Sequence, residues 1–254
     1  MKTVKSILIG FLIFLAFGIS HAKVYTVGVE NIDLFPYFTY NKKTKEYKGA
    51  MRDLFDAYAR SKGIKFVYKA YPLNRLFKYF LDGKFDIKAP SNPEWRADEK
   101  KSSGKNFTYT IKMIPFQDAL IRKLTNFGKP MKVISIVRGF TPWLIYNDVK
   151  SGKYKTRESK NMISVLSQVG LGRTDAGLVN VIQAKYLLKN DNKLKKFALD
   201  VDKSQPIASA AYHCSTINHP NLIKDFNKFI KKNKDIIRKI RDSYGISSKN
   251  WPIN

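Results

Sequence analysis

The chain has 254 residues, 44% of them hydrophobic and 26% charged, with 47 Lys and Arg against 20 Asp and Glu. That length can bury one large core or two small ones, and the composition excludes a collagen, a wholly disordered chain and a disulfide-stapled miniprotein. The formal net charge of +27 invites anionic partners, yet the lysines are spread along the whole chain. Neither a Cys/His finger spacing nor an RNP-like aromatic strand accompanies them, so a basic solvated surface is expected and nucleic acid is not an expected partner.

Residues 1–22 read as a secretory signal peptide: Lys2 and Lys5, the apolar run from Ile7 to Phe17, then Ser20-His21-Ala22 before a cut at Lys23. The apolar run is short for a bilayer span. Removing the segment leaves +25 on the mature chain. The single Cys, Cys214, is far from the cut, so a lipoprotein is not expected, and one Cys makes no internal disulfide.

Lys23 to Glu30 alternates as a strand, and an aromatic loop with a polar hairpin tip follows. Met51, Leu54, Phe55 and Tyr58 share one helix face that ends at Gly63. Ile64 to Tyr68 is strand-like, Leu73 to Leu81 is a second amphipathic helix stopped near Gly83, and Phe85 to Lys88 is a third strand. Strand, helix, strand, helix, strand implies parallel pairing through helical crossovers. Ala119 to Arg122 is a further strand, and Met131 to Val137 begins a second α/β series. It continues through a helix over Met162 to Val169, a strand over Ala176 to Val179 and a helix over Asn180 to Leu188. A strand returns within PIASAAYHCSTINHP, and one Lys-rich amphipathic helix carries Phe226, Phe229, Ile230, Ile237 and Ile240. The middle series reads as an insertion. Lobe one would comprise 23–121 and 208–254, and lobe two 122–207, with two crossings near 120 and 209 that act as a hinge and leave a ligand cleft between them.

Several segments, in order, resemble family 3 extracytoplasmic solute-binding proteins, the polar-amino-acid type that serves ABC transporters. They are VGVENIDLFPYFTY, YKGAMRDLFDAYARSKG, LFKYFLDGKFDI, SNPEWRA, VRGFT and GRTDAG. The resemblance implies a two-lobed α/β periplasmic-binding-protein-like fold, each lobe a sheet flanked by helices. It places Arg96 as the clamp on a ligand carboxylate, with Ser91 and Asn92 nearby, and Gly139 and Thr141 as the second lobe's contribution. Where amino-acid binders of this type carry an ammonium-binding Asp, this chain has Asn180, which accepts a hydrogen bond but brings no charge. A carboxylate without an ammonium, a peptide fragment or another anion suits that position as well as an α-amino acid.

The residues themselves add their own readings. Arg96 follows a strand end, where crevices of α/β sheets lie, and its planar fork suits a carboxylate or phosphate. Arg138 has the equivalent place in lobe two. Tyr37, Trp95 and Trp143 are pocket-wall aromatics, and Glu30, at the end of the first strand, suits a cationic group. Asp86 and Asp175 look structural, sitting at tight passages into strands. His213 and Cys214 are strand neighbours that face opposite sides, so they form no dyad. There is no HExxH, GxSxG or glycine-rich nucleotide loop, and neither metal nor cofactor is expected. The sequence is thus read as a monomeric, non-enzymatic periplasmic protein that captures a small polar or anionic solute for an inner-membrane ABC permease. The alternatives are a sensor or envelope interaction protein not coupled to uptake, and a small-molecule lyase or dehydratase.

Overall fold

The computed structural model describes residues 22–246; the expected signal peptide, apart from Ala22, and residues 247–254 lie outside them. β1 (Val24–Glu30) is followed by the hairpin β2 (Thr39–Asn41) and β3 (Glu46–Lys48). α1 (Ala50–Lys62) buries Met51, Leu54, Phe55 and Tyr58 on one face, and full burial of each apolar side chain is worth about 1.5–3 kcal/mol. It stops at Gly63, whose left-handed backbone (φ 61°) lets its N–H reach the Ala59 carbonyl. β4 (Lys65–Tyr71), α2 (Leu73–Leu81) and β5 (Ile87–Ser91) complete two crossovers, so β4 and β5 lie parallel on either side of β1.

The strand expected from Phe85 starts later, at Ile87. Phe85 packs with Leu76 and Phe80 beneath α2. The Asp86 carboxylate accepts from the Thr26 N–H at 2.6 Å and the Thr26 hydroxyl at 2.8 Å, and lies 2.7 Å from His219 Nε2.

α3 (Ala97–Ser102) and β6 (Thr108–Tyr109) lead into β7 (Ile114–Lys123), which is longer than the segment expected over 119–122. The second series runs β8 (Val133–Val137), a 3₁₀ turn at Trp143–Ile145, α4 (Tyr146–Lys150), β9 (Lys155–Ser159), α5 (Met162–Gly170), β10 (Ala176–Asn180), α6 (Val181–Asn190) and β11 (Leu199–Val201). β12 (Ile207–Thr216) returns the chain to the first sheet. The expected single C-terminal helix is two, α7 (Pro220–Lys232) and α8 (Lys234–Ser243), broken at Asn233, whose N–H and side-chain amide both donate to the Phe229 carbonyl.

The molecule has two lobes. One sheet runs β4-β1-β5-β12, with β6 on β12; the other runs β9-β8-β10-β7, with β11 and β12 on β7. β7 and β12 are antiparallel from Ile207 opposite Ala119 to Tyr212 opposite Ile114, and both strands pass from lobe to lobe. Lobe one packs α1, α7 and α8 on one sheet face and α2 on the other. Lobe two packs α5 and α6 on one face, with Ile145 and Tyr154 covering the other. Its ionic anchor is Arg122, at the far end of β7. Arg122 and Asp202 are each 1% exposed and 3.0 Å apart, and the guanidinium also donates to the carbonyls of Lys129 and Asp175. Burial acts to raise the Asp202 carboxyl, but hydrogen bonds from Ser204 and Arg122 outweigh it and hold the carboxyl below its usual range.

Candidate functional site

Between the lobes lies a cleft of about 800 Å³, the solvent at its mouth included. Its floor is the hinge pair. Phe116 of β7 stacks on Tyr212 of β12 with centroids 4.4 Å apart, and Trp95 and Trp143 stand against Phe116 at 6.1 Å each. An aromatic floor of this kind takes the apolar or flat part of a small solute.

Arg96 enters from lobe one in a left-handed conformation (φ 52°), a strain of about 1 kcal/mol for a residue with a Cβ. The preceding loop is pinned by Asn92, which accepts from the Glu94 N–H at 2.9 Å and donates to the Ala211 carbonyl of β12 at 3.2 Å. So placed, the Arg96 guanidinium lies over the Phe77 ring at 4.9 Å and donates to Asn74 Oδ1 and, at 3.4 Å, to the Gly139 carbonyl of lobe two. Its own N–H donates to the Thr141 hydroxyl at 3.3 Å. Gly139 is left-handed too (φ 81°), and a Cβ there would sit 2.9 Å from Asn74 Oδ1. The lobes therefore touch where only a glycine fits without strain.

Besides Arg96, the cleft walls carry four acidic or basic side chains. Glu30 ends β1, and burial pushes its carboxyl up to about 7, against the pull of Lys88 and Arg96. Lys88 stands on β5, held by the Pro90 carbonyl at 2.6 Å, and burial lowers its pKa. Lys100 of α3 donates to the Asn92 carbonyl at 2.6 Å, and burial pushes it down to about 7. Asp118 of β7 accepts from the Trp143 indole N–H at 2.7 Å, and burial pushes its carboxyl up to about 7. Asn180 is the cross-strand partner of Asp118, so the two side chains share a face. The Asn180 carbonyl oxygen caps α6 by accepting from the Gln183 N–H at 3.1 Å.

Of the residues expected at the site, Glu30, Ser91, Trp95, Arg96, Gly139, Thr141, Trp143 and Asn180 line this cleft. Three stand elsewhere. Tyr37 is fully buried in lobe one's core, edge-on to Tyr212 at 5.1 Å. Asn92 is spent on its own loop, as above. Arg138 points outward and pairs with Glu158 at 3.3 Å. Sequence reading passed over Lys88, Lys100, Asp118, Phe116 and Tyr212. The available signal was a charge inside an apolar strand, in DIKAPS and in FQDAL. Asp175 serves structure by accepting the N–H groups of Lys132 and Val133 at 2.8 Å each. His213 donates from Nδ1 to the Thr110 carbonyl at 2.6 Å, whereas Cys214 is buried in lobe one's core, where burial pushes its thiol well up. Among the described residues no three His, Cys, Asp or Glu side chains gather as metal ligands.

No family model matches the chain, and no curated protein matches it. Solved structures do match along nearly its whole length. An ancestral amino acid-binding protein, a precursor of cyclohexadienyl dehydratase, shares 20% identity over 87% of this chain and 94% of its own, with a TM-score of 0.66. An ABC uptake transporter substrate-binding protein from Streptococcus pneumoniae, with bound histidine, shares 16% over 89% and 94%, TM-score 0.68. A histidine kinase sensor domain with similarity to periplasmic binding proteins shares 15% over 88% and 96%, TM-score 0.69. Two lobes, each a helix-flanked sheet, joined by two crossing strands around one cleft: the chain has the periplasmic-binding-protein-like fold.

Proposed function

We propose that this protein is a periplasmic solute-binding protein of the polar-amino-acid type, acting as a monomer and without catalysis. It captures a small polar or anionic solute by closing its lobes and presents the closed form to an inner-membrane ABC permease. The observation that carries this reading is Arg96, which extends from lobe one to the Gly139 carbonyl and the Thr141 hydroxyl of lobe two at the cleft. An incoming carboxylate shares or displaces those neutral partners, and a guanidinium–carboxylate pair gains strength in a cleft shut off from water. Ser91, with its hydroxyl bonded to Ser215 at 2.9 Å, and Trp95 support the same wall. The uptake protein among the structural neighbours supports coupling to a permease. The decisive experiment strips the mature protein by unfolding and refolding, then measures its melting temperature against amino acids, organic acids, short peptides and muropeptide fragments. Native mass spectrometry of the unstripped sample runs beside it. A solute that binds only the folded form raises the melting temperature. A folded sample that shows neither a shift with any class nor a co-purified mass would overturn the reading.

A second reading, a lyase, draws on Glu30 and Asp118, two carboxyl groups pushed up to about 7 in one cleft, where acid–base work at neutral pH needs them. A product of altered mass after prolonged incubation with the bound solute would favour it.

A further inference from the structure

The ionisable groups of the cleft are not evenly placed. Lys88, Arg96 and Lys100 belong to β5, the loop after it and α3, all in lobe one, with Glu30 beside them at the end of β1. Asp118 stands apart on the hinge strand, next to Asn180, with Trp143 as its hydrogen-bond donor. Three cations thus face two carboxyl groups on the cleft lining, and Glu94 acts on Lys100 from outside it. Glu99 reaches Arg96 only from the exposed rim, at 3.3 Å. An ammonium brings three donors; Lys88 spends one of them on the Pro90 carbonyl, and Lys100 spends two, on the Asn92 and Pro93 carbonyls, so each keeps a donor for an occupant. Buried charge without a partner is costly, so an occupant that completes these groups gains more than one that does not.

We propose that the solute is a small amino dicarboxylate: its ammonium docks on Asp118, one strand away from Asn180, and its two carboxylates divide between Arg96 and the Lys88–Lys100 pair. This rests on the binding-protein reading and narrows it to a ligand class.

The test titrates the stripped mature protein calorimetrically with L-glutamate, D-glutamate, L-aspartate, L-glutamine, glutarate and L-lysine. An amino dicarboxylate should bind at least about tenfold more tightly than glutamine, glutarate or lysine, the loss expected when one charge-assisted bond is removed. Asp118→Asn should erase the preference for glutamate over glutarate. Lys88→Met should erase the preference for glutamate over glutamine, and Lys100→Gln should weaken it, serving as the check if the Lys88 variant melts without cooperativity. Glutamine, glutarate or lysine binding as tightly as the amino dicarboxylates would overturn the proposal and leave the binding-protein reading intact. So would silence from all six probes while another solute class shifts the melting temperature.

Discussion

Among the described residues charge is buried at the far end of lobe two and around the cleft, and the two places are built differently. At the far end of β7, Arg122 meets Asp202 at 3.0 Å, and two further donors go to backbone carbonyls. Around the cleft, Lys88 and Lys100 are held by backbone carbonyls and Asp118 by an indole N–H rather than by an ion pair, and burial moves Glu30, Lys88, Lys100 and Asp118 each toward its neutral form. The same cost of desolvation is met in one place by the chain itself. In the other it is met by a shift toward the neutral form and by uncharged partners. The paired charge holds a lobe together, and on the proposed function the cleft charges receive a solute.

Substitutions can break that contrast from either side. The largest effect belongs to the completed pair. Arg122→Ala leaves Asp202 buried and alone, and should cost about 3–5 kcal/mol in urea unfolding. Solute affinity per folded molecule should stay as it was; a fall in affinity as large as that of a cleft variant would dissolve the distinction. Next comes Arg96→Ala, which should lower affinity by about one to three orders of magnitude in calorimetry while moving the ligand-free melting temperature little. Gly139→Ala should follow, with about 1–3 kcal/mol divided between a positive φ and the approach to Asn74, read as weaker binding and less compaction in solution scattering.

The smallest effect is a slope with pH. The folded pKa of Asp118 is raised, so the folded state holds its proton longer than the unfolded one does. Its contribution therefore makes the ligand-free protein less stable as pH rises from about 4 to about 7. Asp118→Asn should remove about 1–2 kcal/mol of that fall once the solvent at the cleft mouth is discounted. Unfolding midpoints of the two proteins that run parallel across this range would show the carboxyl to be ordinary.

Much of the frame was legible because it is written in apolar periodicity. The α1 face and its Gly63 stop, the β1–β4–β5 crossovers and the two passages between lobes all follow from residues that must be buried. β9 carries no apolar alternation to read: KTRES is almost wholly exposed, with Ser159 alone buried, and pairs with β8 along its length. The break at Asn233 was invisible because Phe229, Ile230 and Ile237 keep one apolar phase across it. At the site, Arg96 and Gly139 stood in loops that could be placed relative to strand ends. Lys88 and Asp118 sit within strands, and a charge in a short strand reads as surface until the neighbours on both sides are known. Tyr37 differs in the other direction: an aromatic loop residue near a strand end reads as a wall, and the core of lobe one buries it.

The paired crossing strands have a mechanical consequence. Six consecutive register pairs, from Ile207 with Ala119 to Tyr212 with Ile114, forbid the lobes to slide past each other, because sliding would break the ladder. What remains is bending and twisting of a two-stranded ribbon, close to a single angular coordinate. Every distance measured across the mouth should then change together, and a pair of spectroscopic labels, one on each lobe, would read the whole motion as one number.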